Sequence, residues 1–354
     1  MNAPITLIEY RTLAKDKLPQ KIFDFIDGGA GDEITKHNNS AAFDDINLRP
    51  LCLRDVSSVD LSIKLLGYSA SCPFIIAPTA FHKLVDGKGE LSTALAAKQS
   101  GIPMVVSSMS NISLEKIAEG SMSDNLWLQV YIFKDRAITR ELILRAEKAG
   151  YKAILVTIGV AVMGKRNKDI RNHFTLAPEL STGNFQSTAN NVPIFEFSAQ
   201  ALDPSVTWED IEWLKTFTKL PIILKGIMNS LDAEKACQLN IAGIVVSNHG
   251  GRQLDTTEAT IKVLPEIAHV VANRTTLMLD SGVRRGTDVF KAIALGADAI
   301  FLGRPILWAL SVGGEQGVVH VLKLLKNEFE MAMKLLGCRS VQEIRQLGKH
   351  ILVL

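Results

Sequence analysis

Eight short apolar runs recur along the chain: "FIIAP", "MVVSS", "LWLQVY", "AILVTI", "PIILK", "GIVVS", "TLMLD" and "AIFLG". No other feature limits the fold as strongly. Between the runs lie stretches with helical spacing, such as Leu91, Leu95 and Ala96 ahead of "QSGIP", or Val289, Ala292, Ile293 and Leu295 ahead of "GADA". A strand that is apolar at nearly every position needs cover on both faces, and helices on a parallel sheet provide it. Eight strand–helix units are the number that closes a (β/α)₈ TIM barrel. An open doubly wound sheet would need strands on both sides of a switch point, and the even repetition favours the closed form.

The rest of the chain is organised around that barrel, expected over residues 74–336, with a helical segment at 1–73 and an extension at 337–354. Residues 6–27 read as two short helices ending at "DGGAGDE", and residues 315–336 as a long amphipathic helix. The strand–helix rhythm breaks once, at 165–206, in a segment rich in Asn, Ser, Thr and Pro. It follows the fourth strand, which puts it on the barrel's catalytic face as a lid loop. No linker separates a second domain.

Charge and cysteine usage remove several classes of function. A net charge of +2, with Lys and Arg scattered among Asp and Glu, offers no phosphate-tracking surface for nucleic acid. Cys52, Cys72, Cys237 and Cys338 form no C-x-x-C pair, so they read as reduced, mostly buried thiols and not as metal ligands. The N-terminus lacks a basic and apolar leader, and the longest uncharged apolar run, Ala153 to Gly164, falls short of the roughly 18 residues that span a bilayer. A cytoplasmic protein without membrane or nucleic-acid partners is expected.

In such a barrel the chemistry gathers at the C-terminal strand ends. Read in order, those ends carry Pro78-Thr79-Ala80, Ser107-Ser108, Gln129 and Tyr131, Thr157, Lys225, Ser247 to Arg252, Asp280, and Gly303-Arg304. Ser, Thr and Gly singly are ordinary turn residues, but Lys225, Asp280 and Arg304 together call for a polar ligand in the mouth. "DSGVRRG" and "LGRP", at the ends of strands seven and eight, place glycines and arginines where these barrels bind phosphate. Lys225 is a cation suited to a Schiff base or to holding the negative charge of a reduced cofactor. "GVAVMGKR" approximates a P-loop but ends in Arg166 where a Ser or Thr hydroxyl is needed, and no G-x-G-x-x-G follows a strand.

The stretches "SNHGGRQLDTTEAT", "LDSGVRRGTDVFKAIALGADAIFLGRP", "APTAFHKL" and "KLPQKIFDFIDGGAGDE" resemble the FMN-dependent 2-hydroxy acid oxidases and dehydrogenases over almost the whole chain. The resemblance implies an FMN over the mouth, with its phosphate near Arg284, Gly303 and Arg304 and its ribityl chain near Lys225 and Asp280. Its ring would lie against Thr79, Ala80, Ser107, Gln129, Thr157 and Ser247, with Lys225 beside the edge that becomes anionic on reduction. His249 would take a proton from the 2-hydroxyl, or from Cα in the carbanion alternative. Arg252, with Tyr131 and Arg166, would hold the carboxylate. The family's frequent homotetramer is the expected assembly.

Two positions depart from the family pattern: Phe25 stands where a tyrosine is usual, and Gly159 where an aspartate follows the strand-four threonine. A carboxylate beside a catalytic histidine stabilises its protonated form, so lactate or glycolate is not the expected substrate. Met109, in place of a frequent large aromatic, and the apolar "GVAVM" point to a roomier, greasier pocket. The expectation is a small carboxylate substrate bulkier than lactate. An amine or amino-acid-like substrate, an FMN-binding protein without turnover, and a Schiff-base lyase using Lys225 remain as alternatives.

Overall fold

A computed structural model describes residues 3–177, 180–185 and 200–353. The eight expected runs are the eight parallel strands of one closed barrel: β1 Phe74–Ile76, β2 Met104–Ser107, β3 Leu126–Val130, β4 Ala153–Thr157, β5 Ile222–Ile227, β6 Gly243–Val246, β7 Thr276–Leu279 and β8 Ala299–Leu302. Closure is by β8 against β1, where Phe301 pairs with Ile75. Nearly every strand residue is buried, because alternate side chains serve two cores. Ile75, Trp127, Leu155, Ile223, Met278 and Phe301 form one cluster with Leu65, from the hairpin Ile63–Leu65/Tyr68–Ala70. Their neighbours, such as Phe74, Ile76 and Leu128, belong to the larger core with the helices.

The N-terminal expectation holds: helices Leu7–Lys17 and Gln20–Asp27 precede the "GGAG" turn, and a third, Ile34–Asp44, follows it. The Thr6 side chain caps the first, accepting from the Glu9 amide at 3.2 Å. After β8 comes a helix from Arg304 to Leu335, broken in backbone angle at Gly313 and Gly314, so its second half is the amphipathic helix expected from 315. Asn47–Leu48 pairs antiparallel with Leu352–Val353, tying the chain's two ends together. Of the lid region, residues 178–179 and 186–199 lie outside the described residues, and its first part holds a short helix, Asn167–Arg171.

Candidate active site

The polar strand ends bond to one another side by side around the mouth. Ser107 Oγ donates to Gln129 Oε1 at 3.2 Å, and Gln129 Nε2 donates to Thr157 Oγ1 at 3.1 Å, linking β2, β3 and β4. On the other side Lys225 Nζ pairs with Asp280 Oδ2 at 2.8 Å and donates to Ser247 Oγ at 2.8 Å, linking β5, β6 and the residue after β7. A β-bulge follows Lys225, where Gly226 takes φ +126°. Burial of the Lys225–Asp280 pair is tolerable because each charge is matched. Thr79 Oγ1 pairs with His82 Nε2 at 2.7 Å, which fixes the hydroxyl after β1.

The loop after β6 answers why a histidine, two glycines and an arginine stand together. His249, Gly250 and Gly251 have φ of 58°, 66° and 69°, three successive left-handed residues. Glycine adopts that region freely, whereas His249 bears a strain of about 1 kcal/mol. The turn returns the chain so quickly that His249 and Arg252 both line the cavity. A Cβ on Gly251 would stand 2.6 Å from the Lys36 amide nitrogen, so the loop sits directly against the N-terminal helices. Arg252 Nη1 donates to the carbonyls of Phe25 and Gly28, at 2.8 and 2.9 Å. That ties down one nitrogen and leaves the Nε and Nη2 edge, the planar fork that fits a carboxylate. Arg304 is held the same way, Nη1 to the Gly250 carbonyl at 2.8 Å and Nη2 to that of Gly28 at 2.7 Å, while its buried Nε has no hydrogen-bond partner among the described residues.

All the expected site residues line this one cavity except Ser247, which sits behind Lys225 as its hydrogen-bond partner. Gly159 does not line it either: a Cβ there would meet Gly226 Cα at 3.2 Å. The apolar wall differs in origin from the expectation. Of "GVAVM", Val162 points outward, 67% exposed, Val160 is buried outside the cavity, and Met163 alone contributes. Phe25, Phe81, Met109 and Leu202 are among its other apolar residues. Phe25 stacks on Phe174 with ring centres 4.5 Å apart, and the Arg252 guanidinium lies 5.3 Å from its ring centre. Phe81 stands inside "APTAFHKL", directly after the strand-end residues Pro78-Thr79-Ala80, yet is not singled out there, and Leu202 has no signal of its own.

The electrostatics are lopsided. Burial, then Lys225, Arg166, Arg252 and Arg304 in turn, pull the His249 imidazole well below its ordinary value, so it is neutral near pH 7 and free to accept a proton. Burial, then Arg166 and Arg304, likewise depress the Arg252 guanidinium, and Arg284 is drawn down to about 10 by burial and then Arg304. The nearest carboxylate to the Arg166–Arg252 end is Asp169, 3.7 Å from Arg166 Nη1, and burial raises its pKa. The buried Arg166 Nε has no hydrogen-bond partner among the described residues. So many buried cations around one cavity, more than the Asp169 and Asp280 carboxylates match, mark a site for anions.

A family model described as FMN-dependent dehydrogenase matches residues 14–350. The chain belongs to this family. It is 46% identical over 362 residues to an L-lactate oxidase of Nostoc sp., covering 99% of both proteins. It is also 46% identical to 2-hydroxyacid oxidase 1 of Homo sapiens, across 96% of this chain and 95% of that one. Among solved structures, a mandelate oxidase with (S)-4-hydroxymandelic acid superposes with a TM-score of 0.93 at 39% identity, covering 97% of this chain and 98% of the other. Its cofactor is therefore FMN, and the protein is an oxidoreductase of the 2-hydroxy acid oxidase kind.

The residues present fit that cofactor. At the phosphate end, Gly303 caps the helix Arg304–Leu335 without a side chain; Pro305 has no N–H and the Ile306 amide donates to the Gly303 carbonyl at 3.0 Å, so the Arg304 amide is the one left open to an anion, beside the Arg304 and Arg284 guanidinium groups. The β7 loop, expected to share the phosphate site, offers no such open helix start. There Asp288 Oδ2 accepts from the Arg284 and Arg285 amides, both at 2.9 Å, and closes the helix Gly286–Ala294 itself. Its contribution is the Arg284 guanidinium, steadied 5.0 Å above the Trp308 ring.

Proposed function

We propose that the protein oxidises 2-hydroxy acids carrying a bulky apolar substituent to the corresponding 2-oxo acids. The observation that carries this is the mixed lining of one cavity: Arg252, Arg166, Tyr131 and His249 share it with the apolar side chains Phe25, Phe81, Met109, Met163 and Leu202. A carboxylate on the Arg252 fork places the 2-carbon by the imidazole and leaves the substituent no polar partner, so an aryl or long alkyl group loses nothing on entry. Bound FMN supplies the two-electron acceptor. Arg284, Arg304 and the open helix start would hold its phosphate, and Lys225 with Asp280, Ser107, Gln129 and Thr157 the remainder.

His249 acts as the base. Its neutral imidazole takes the substrate proton, and the imidazolium then stands among cations, with no carboxylate among the described groups that chiefly shift it, so the substrate's own carboxylate serves as its counter-charge. Lys225 is placed to neutralise negative charge at the cofactor, and its pair with Asp280 holds the ammonium in position. The same cation set weighs against an amine substrate, whose ammonium Arg166, Arg252 and Arg304 would repel.

The test is a series of 2-hydroxy acids at equal FMN occupancy: glycolate, lactate, 2-hydroxyoctanoate and mandelate. The reading requires kcat/KM to rise along the series by about tenfold or more between lactate and the larger acids, as each buried methylene contributes about 0.8 kcal/mol. Glycolate as the best substrate would overturn it.

A further inference from the structure

Arg304 is held by two carbonyls, and each of them is tied to Arg252 or His249. Gly28 O accepts from Arg304 Nη2 at 2.7 Å and from Arg252 Nη1 at 2.9 Å, so a single oxygen seats both guanidinium groups. Gly250 O, which accepts Arg304 Nη1 at 2.8 Å, is the carbonyl next to His249 in the left-handed turn. The fit is close: a Cβ on Gly250 would lie 2.7 Å from Arg304 Nη1. The Gly28 turn cannot drift alone, because the Gly29 amide donates to Glu33 Oε1, the Ala30 amide to Gly251 O, and the Gly31 amide to Lys165 O, at 2.8, 2.8 and 2.9 Å. "DGGAGDE" thus supplies one backbone oxygen, that of Gly28, shared by two arginines.

We propose that Arg304 is a positioning residue of the acid site as well as a ligand of the cofactor phosphate, so that filling the phosphate position tightens binding of the substrate carboxylate. The inference rests on the reading of Arg252 as carboxylate anchor and Arg304 as phosphate ligand. A phosphate on the unpartnered Nε side fixes the guanidinium plane. That plane holds Gly28 O and Gly250 O, and through them the Arg252 fork and His249. When the phosphate position is empty, Arg304 repels Arg284 and Arg252 with only the Asp27, Glu33 and Asp280 carboxylates to offset it, and its plane is held by the two carbonyls alone. Simple charge addition gives the opposite sign: a nearby dianion repels a second anion, so removing it would strengthen carboxylate binding.

The full-length apoprotein is reconstituted with FMN, with riboflavin, or with riboflavin plus inorganic phosphate. The dissociation constant of a non-reacting carboxylate, oxalate, is read from the perturbation of the flavin absorption spectrum. The proposal expects oxalate to bind about five-fold or more weakly with riboflavin than with FMN, and added phosphate to restore it. Equal or tighter binding with riboflavin overturns it. Arg304→Lys at saturating FMN gives the same answer without relying on riboflavin binding: a single ammonium keeps the phosphate charge but not the two-carbonyl geometry, so oxalate should weaken while flavin stays bound, and unchanged oxalate affinity refutes the proposal. Arg252→Lys separates the failures, since oxalate binding that ignores Arg252 sinks the underlying carboxylate assignment instead.

Discussion

Replacing Arg252 by lysine keeps the charge and removes the fork. In the structure one nitrogen of Arg252 takes two backbone acceptors, the carbonyls of Phe25 and Gly28, and the Nε and Nη2 edge has no hydrogen bond among the described residues. A lysine ammonium carries three N–H bonds on one nitrogen. If two stay with those carbonyls, one is left, so the carboxylate loses one of two charge-assisted hydrogen bonds. Such a bond is worth about 1.5–3 kcal/mol, which corresponds to about 10- to 100-fold in affinity. The assay is the dissociation constant of a non-reacting carboxylate, read by flavin absorbance, beside flavin content after gel filtration. Flavin content should stay near that of the natural protein, because Arg304, Arg284 and the uncapped helix start are untouched. A loss below about two-fold, or a proportional loss of flavin, would show that Arg252 does not anchor the acid.

Gly159→Asp, alone and with Phe25→Tyr, should raise turnover of lactate and glycolate by about tenfold, the equivalent of ~1.4 kcal/mol of imidazolium stabilisation. Gly159 does not have a left-handed backbone, and only a shift of a few tenths of an ångström at Gly226 is needed; unchanged rates at full FMN occupancy would refute this. The depressed His249 imidazole makes kcat/KM insensitive to pH from neutrality down past about 6.5, falling only at lower pH, whereas the limb in kcat should lie higher because a bound carboxylate favours the imidazolium. Since the unfolded chain takes up that proton near its ordinary value and the folded chain does not, acidification below about 6.5 should also lower stability, and a pH series of thermal unfolding curves checks the sign. Lys225→Met leaves Asp280 buried without its ion pair and should lower the melting temperature by several degrees, about 3 kcal/mol of stability, as read by calorimetry.

Barrel and strand-end chemistry were legible because they are written in side chains at regular spacing. Each apolar run became a strand, and Lys225, Asp280 and Arg304 stand where that register puts them. Three features escaped for physical reasons. The Gly28 carbonyl has no side chain to announce it, and its partners Arg252 and Arg304 lie far along the chain. Asp288 looks like any acidic residue in a first helical turn, yet its hold on the Arg284 and Arg285 amides leaves the helix after β8 as the open one. "GVAVM" reads as uniformly apolar, but only the backbone path decides that Met163 turns inward while Val162 faces solvent.

Anaerobic mixing with mandelate tests the central claim most directly. The FMN-loaded protein is combined with excess mandelate without oxygen, the visible flavin absorbance is followed, and the benzoylformate formed is quantified. The account predicts bleaching with one equivalent of 2-oxo acid per flavin, faster than with lactate at equal concentration, and abolished in His249→Ala at unchanged flavin content. A flavin that stays oxidised with mandelate, 2-hydroxyoctanoate and lactate alike would contradict it.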